Sequence, residues 1–179
     1  MKRFCHPEFE ALHPFLDGNG RLGRMIIPLF LYQAKLLQRP AFYISAYLET
    51  HRDSYYDKLF AVSRDGDWTG WCAFFLQAMH IQAEENFRKA AKILTLYNEM
   101  KLRLVEITGS KYAIHTLDWI FEYPVSSLNT LIQGSHVPRP TATRIVDRLI
   151  QKKILKLLRP SSGRSSKIVG FPTLLDIVG

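Results

Sequence analysis

Residues 13–24 read His13, Pro14, Phe15, Leu16, Asp17, Gly18, Asn19, Gly20, Arg21, Leu22, Gly23 and Arg24. No other stretch of the chain concentrates so much potential chemistry. A turn of small residues that enters a helix presents backbone N–H groups and the positive helix end to an anion. Glycines at 18 and 20 let that backbone approach phosphate oxygens closely. Arg21 and Arg24 are three apart, so they share a helix face and can grip further phosphates. Asp17 is a hard oxygen ligand of the kind Mg²⁺ takes, since that ion binds through one or two carboxylates plus substrate phosphates. His13 can accept a hydroxyl proton near neutral pH, and neighbouring cations favour its neutral form. The set is suited to holding a polyphosphate with its metal and taking a proton from an attacking hydroxyl.

Two simpler motifs overlap this run and fail on context. Gly18, Gly20 and Gly23 match G-x-G-x-x-G, but that dinucleotide fingerprint needs a preceding strand and an acidic residue about 20 positions on. The position twenty after Gly23 is Tyr43, and residues 8–15 are no apolar strand. Asp17, Gly18, Asn19 and Gly20 resemble a calcium loop, but its third acidic or amide position is Arg21. Singly, Asp17 reads as a helix cap, Arg24 as a solvated charge and His13 as a surface histidine. Their conjunction within one short run points to a site.

The elements that must position these residues are helical. Residues 18–37 are apolar nearly all round, as expected of a helix buried at a domain centre, with Pro28 costing it one backbone bond. Short helices are predicted over residues 45–50 and 53–62. Asp67 then caps a long helix, whose core face is read as Trp68, Trp71, Cys72, Phe75, Leu76, Met79, Ala83, Phe87, Ala90, Ala91 and Leu94. The pattern fades near Ile107, and Thr108, Gly109 and Ser110 make the best domain boundary, giving domains 1–107 and 108–179.

The C-terminal domain reads as three helices and a hairpin. A helix over 111–121 precedes Tyr123 and Pro124, and Ser126 or Ser127 caps a second that ends near Gly134. Pro138, Arg139 and Pro140 open a third, which buries Ala142, Ile145, Val146, Leu149 and Ile150. Residues 154–158 and 167–171, around a turn at 160–163, form a two-stranded hairpin. This order resembles a winged helix-turn-helix. The fold class is therefore mainly α, a helical bundle followed by a small winged-helix domain.

Composition sets the wider bounds. Apolar content of 47% is that of a globular chain, and the longest apolar run, residues 25–31, is too short to span a bilayer, so no membrane partner is expected. Residues 4–15 hold no apolar signal segment, and two cysteines make neither a disulfide framework nor a metal cluster, which points to the cytoplasm. Of the net charge of +8, residues 108–179 carry +6, from ten Lys/Arg against four Asp/Glu. A domain that basic implies an acidic partner, with nucleic acid the first candidate.

At every specified position, residues 13–24 resemble the signature of the Fic/DOC family, H-P-F-x-[D/E]-G-N-G-R-x-x-R. The likeness continues in Arg52, Asp53, Ser54, Tyr55, Tyr56 and Asp57, and in Gly66, Asp67 and Trp68 with the long helix behind them. These resemble bacterial Fic proteins that end in a winged helix. The resemblance implies a protein adenylyltransferase, a nucleotidyltransferase that moves AMP from ATP to a Ser, Thr or Tyr hydroxyl of a target protein. It implies that His13 is the general base and that Asp17 holds Mg²⁺ against the α- and β-phosphates. Gly18, Asn19 and Gly20 would form the anion cradle, continued by Leu22 and Gly23, with Arg21 and Arg24 on the β- and γ-phosphates. Tyr55 and Tyr56 would line the adenine pocket, an ordinary aromatic core being the other reading. The DOC phosphotransferase branch carries lysine at the position of Gly20, so glycine there implies AMP transfer.

A full Fic core has helices and a target-docking flap before the motif. With only twelve residues ahead of His13, the resemblance implies a truncated Fic-type bundle, a fragment or shortened gene product with impaired activity. No inhibitory helix of the family's form is found; residues 95–99 come nearest, but Met100 follows the glutamate.

A second reading makes the chain a winged-helix DNA-binding regulator whose Fic-like part binds nucleotide without catalysis. Its face would be Arg139, Thr141, Thr143, Arg144, Arg148 and Arg164, used either on DNA phosphates and base edges or in protein docking. Both uses stay open, as does a homodimer.

Overall fold

Gly18 takes φ +83°, a left-handed conformation open to glycine, and the chain turns there into helix α2 (Asn19–Gln33). The computed structural model describes residues 6–40, 42–162 and 165–179. Ahead of α2 stands α1 (His6–Leu12), which packs on it. Pro28 lies inside α2 without ending it. The helix stops at Gln33, four residues earlier than expected, because Lys35 adopts φ +59°. The N–H of Leu36 then reaches Leu31 O and that of Lys35 reaches Tyr32 O, a Schellman closure. Lysine occupies the position usually held by glycine, so composition carried no stop signal.

Helices α3 (Ser45–Thr50), α4 (Arg52–Asp65) and α5 (Trp68–Thr108) follow. Asp67 caps α5 as expected, its Oδ1 accepting the N–H of Gly70 at 2.8 Å. Two compact units are formed, Met1–Phe87 and Arg88–Gly179. The core of the first comprises Ile27, Ile44, Leu48, Tyr55, Val62, Trp71, Phe75 and Ala78.

The expected core faces of α2 and α5 need correction. On α2 only Asn19, Gly23 and Ile27 are buried, while Leu22, Met25, Ile26, Leu29 and Tyr32 are exposed. On α5 the buried residues are Trp71, Phe75, Ala78 and Gln82 and, further on, Met100, Leu104 and Thr108, whereas Trp68, Cys72, Leu76, Ala83, Phe87, Ala90, Ala91 and Leu94 are exposed. The apolar set on α5 is wider than the surface that the neighbouring helices cover. Gln82 fixes which edge wins. Its Oε1 accepts the N–H of Tyr47 at 3.0 Å, satisfying a donor at the start of α3.

In the second unit, α6 (Ala113–Glu122), β1 (Val125–Ser127), α7 (Leu128–Ser135), α8 (Arg139–Gln151), β2 (Lys156–Arg159), β3 (Ile168–Gly170) and α9 (Pro172–Val178) follow in order. The strands form an antiparallel sheet ordered β1-β3-β2, with Ser126 opposite Val169 and Leu157 opposite Val169 on the other edge. Ser127 caps α7, its Oγ accepting the N–H of Thr130 at 3.1 Å. Ala142, Ile145, Val146 and Leu149 of α8 are buried against Leu117, Leu131, Ile154, Phe171 and the last turns of α5. Ile150 is only half-buried.

The whole is mainly helical with one small three-stranded sheet, a helical bundle plus a winged-helix-like unit. The expected hairpin therefore gains a third strand and a closing helix. Three residues of β1, two of them serine, give no period-2 signal. Its pairing comes from β3, where the N–H of Phe171 also reaches Pro124 O.

Candidate functional site

Helix α2 opens with no side-chain cap on its first turn. The N–H groups of Asn19, Gly20 and Arg21 therefore have no acceptor within the helix, and the positive end of a 15-residue helix stands behind them. The loop that delivers them is held by Asn19 itself. Its buried side chain accepts the N–H of Phe15 through Oδ1 at 3.0 Å and donates from Nδ2 to Phe15 O at 2.6 Å. The side chain of Asn19 thus fixes the loop and is not available to a ligand.

His13 stands exposed at the end of α1 with φ +43°, a conformation costly to a residue with a Cβ. Its N–H returns to Phe9 O at 3.2 Å. Asp17 is exposed, with Oδ1 on the N–H of Gly18 at 2.6 Å and Oδ2 3.5 Å from Arg21. The two arginines differ in setting. Arg21 is exposed, whereas Arg24 is largely buried, pairs with Glu49 at 3.8 Å and keeps a buried Nε without a hydrogen-bond partner among the described residues.

Arg24 also lines a cavity of about 440 Å³ with Leu48, Glu49, Arg52, Tyr55 and Tyr56. Tyr55 is buried and Tyr56 half exposed, their rings edge to face at 5.2 Å, with the Arg52 guanidinium 5.6 Å from the Tyr56 centroid. An aromatic wall beside a buried arginine suits a base or ribose next to its phosphates. A second cavity, about 500 Å³, is shared by Arg24, Met25, Leu29, Phe42 and Tyr43.

Beneath the motif, α1 crosses α2 at Gly23. A Cβ at 23 would overlap Oε1 of Glu10 and press on the His6 ring, so both side chains of α1 would have to shift to admit one. Gly23 is buried, and the N–H of Leu22 donates to Gly18 O at 2.9 Å. His6 is buried, stacked on Trp71, and shares a 2.9 Å hydrogen bond with the Tyr55 hydroxyl. Burial pushes its imidazole down to about 4. Burial also raises the Glu10 carboxyl, with Arg24 and His13 pulling it back. His6, Glu10 and Glu49 were not anticipated from sequence. The i,i+4 spacing of His6 and Glu10, placed just before the run, was the available signal.

In the second unit Arg139, Thr141, Thr143 and Arg144 lie on α8. Arg148 is turned elsewhere: its Nη1 donates to Ile107 O and Thr108 O, capping the end of α5. Arg164 lies outside the described residues. Arg139 and Thr143 border a polar cleft of about 280 Å³ with Asn129, Ser165, Ser166 and Lys167.

Among the described residues no cluster of three or more metal-ligating side chains occurs, and no helix is long and apolar enough to cross a membrane. Asp17 supplies one exposed carboxylate, the donor number that Mg²⁺ takes when substrate phosphates complete its shell.

The model of the Fic/DOC family matches residues 4–31, which include the entire run from His13 to Arg24 together with α1. The match supports membership in that family, whose members are generally transferases that use ATP and act on target proteins.

Proposed function

We propose that residues 13–24, with Tyr55 and Tyr56, form a nucleotide site that transfers AMP from ATP to a Ser, Thr or Tyr hydroxyl of a target protein. The observation that carries this reading is the uncapped first turn of α2, bracketed by His13, Asp17 and Arg24. The N–H groups of that turn receive phosphate oxygens, and the Nε of Arg24, without a partner among the described residues, is a further donor for them. The target hydroxyl oxygen attacks the α-phosphorus while its proton passes to His13. The bond to the β-phosphate oxygen breaks, and pyrophosphate leaves. Mg²⁺ held by Asp17 would neutralise charge on the phosphates. Gly20 supports AMP transfer over phosphate transfer, because the phosphotransferase branch carries lysine there.

Incubation with Mg²⁺, α-labelled ATP and candidate target proteins tests it. Label from the α-phosphate should reach protein, label from the γ-phosphate should not, and His13→Ala should abolish transfer. Transfer of γ-label would replace AMP transfer with phosphotransfer. ATP binding without transfer by any label would leave a nucleotide-binding module.

A second reading concerns the second unit, which residues 108–179 make basic. Residues 88–179 hold 15 Lys/Arg against 6 Asp/Glu, while residues 1–87 hold 9 against 10. That asymmetry favours a duplex nucleic acid as partner of the winged-helix-like unit. Steeply salt-dependent binding of duplex by the chain tests it; absence of binding would leave protein docking.

A further inference from the structure

We infer that the cleft between α8 and the β2–β3 hairpin seats one phosphodiester of a duplex nucleic acid. The inference rests on the reading of the second unit as a nucleic-acid binder and adds which groups grip the backbone.

The donors in the cleft can be counted. Ser166 Oγ accepts the N–H of Asn129 at 3.1 Å, so its own O–H is left to donate. Lys167 gives one of its three N–H groups to Asp147 and keeps two. Arg139 has no carboxylate within 4.0 Å among the described residues, which leaves its guanidinium fork open to an anion. Thr143 donates to Arg139 O at 2.9 Å, so it orders the start of α8 and offers no proton to a ligand. Among the described residues, Asp147 is the one carboxylate paired with these donors, and its partner is Lys167.

These donors come from separate segments held in fixed relation. The N–H of Leu128 reaches Lys167 O at 3.0 Å, so the return strand of the hairpin is fastened to the start of α7 alongside the Asn129–Ser166 bond. A site whose groups are positioned before the ligand arrives loses little ordering entropy on binding. A fork, an ammonium and a hydroxyl converging on a small polar space match a tetrahedral oxyanion. Nucleic acid is favoured over free phosphate because the cations continue beyond the cleft. Arg144 is exposed on α8, and Lys156 and Arg159 are exposed on β2, in a unit whose Lys/Arg outnumber Asp/Glu by nine. A repeating polyanion can engage several exposed cations of one unit, whereas a single phosphate cannot.

The test is fluorescence anisotropy of the full chain with a short labelled duplex across a salt series. Wild type should bind, and Arg139→Ala should weaken binding about tenfold on unrelated sequences alike while making the salt slope shallower by about 1. Ser166→Ala should weaken it less. Arg139 is exposed at the first turn of α8, and an unchanged melting temperature verifies that the variant folds. Wild-type binding with Arg139→Ala and Arg139→Glu unaltered overturns the cleft assignment and leaves the nucleic-acid reading standing. No duplex binding by wild type overturns both. Inorganic phosphate or polyglutamate displacing the duplex at equal charge concentration also overturns the assignment, showing a general anion site or an acidic-protein surface.

Discussion

The Nε2 of His6 and the hydroxyl of Tyr55 lie 2.9 Å apart inside the core of the first unit, 49 positions apart in sequence. This bond joins the helix that precedes residues 13–24 to the helix that lines the neighbouring cavity. Tyr55 therefore has two duties: its hydroxyl secures α1, and its ring packs against Tyr56 and Trp71.

The buried histidine sets a pH dependence. The unfolded chain protonates His6 near 6.5, the folded chain near 4. Between those values the unfolded state holds the extra proton, so stability falls as pH drops from 6.5 to 4 and levels off below. The slope is at most about 1.4 kcal/mol per pH unit. Glu10 acts with the opposite sign, since its raised carboxyl takes up a proton earlier when folded. Urea unfolding across this range should show the slope in wild type and its loss in His6→Phe; an equal slope in both would assign it to other groups.

Gly23→Ala should destabilise the first unit by about 1–3 kcal/mol, because the new methyl overlaps the Glu10 carboxylate. Truncating Glu10 to Ala in the same chain should recover part of that loss, a non-additivity visible in a double-mutant cycle of unfolding free energies. Additive losses would mean that α1 and α2 do not meet at this point.

Asn19→Ala removes both bonds to Phe15 and leaves a backbone donor and acceptor without their partner. We expect a loss of about 1–3 kcal/mol in stability and a weaker ATP affinity by calorimetry. Weaker ATP binding with unchanged stability would instead make the side chain a direct ligand.

Arg148→Ala and Arg144→Ala should behave differently. Arg148 caps the carbonyls of Ile107 and Thr108, so its loss should lower the melting temperature, at about 1 kcal/mol, and leave duplex affinity nearly unchanged. Arg144 is exposed, and its loss should lower duplex affinity without moving the melt. The reverse pattern would exchange their roles.

Much of this arrangement was legible in the chain. The Asp67 cap, the Ser127 cap and the bounds Ser45–Thr50 were readable because turn and cap chemistry is local. The buried face of α8 was readable because its apolar spacing is regular. Burial on α2 and α5 was not, since hydrophobic periodicity tells which residues could be covered and not what is present to cover them. Gln82 escaped notice for a related reason: its burial serves a hydrogen bond to Tyr47, and apolar counting passes over polar residues. Within the candidate site, the residue types of the run carry the expectation of phosphate chemistry on which the proposed function rests. The turn of Arg148 toward α5 depends on a partner 40 positions away and left no trace in spacing, whereas the lock of Asn19 on Phe15 spans four positions but belongs to a loop with no periodic pattern.

The open first turn of α2 carries a consequence for any effort to make this protein hardier. Capping a helix start is among the commonest routes to greater stability, with a typical gain of about 1 kcal/mol. Here such a change would engage the N–H groups that the proposed nucleotide site needs for phosphate. Selection for heat resistance alone should therefore favour substitutions around Gly18 that silence the site, and selection for function should keep this turn less stable than it could be.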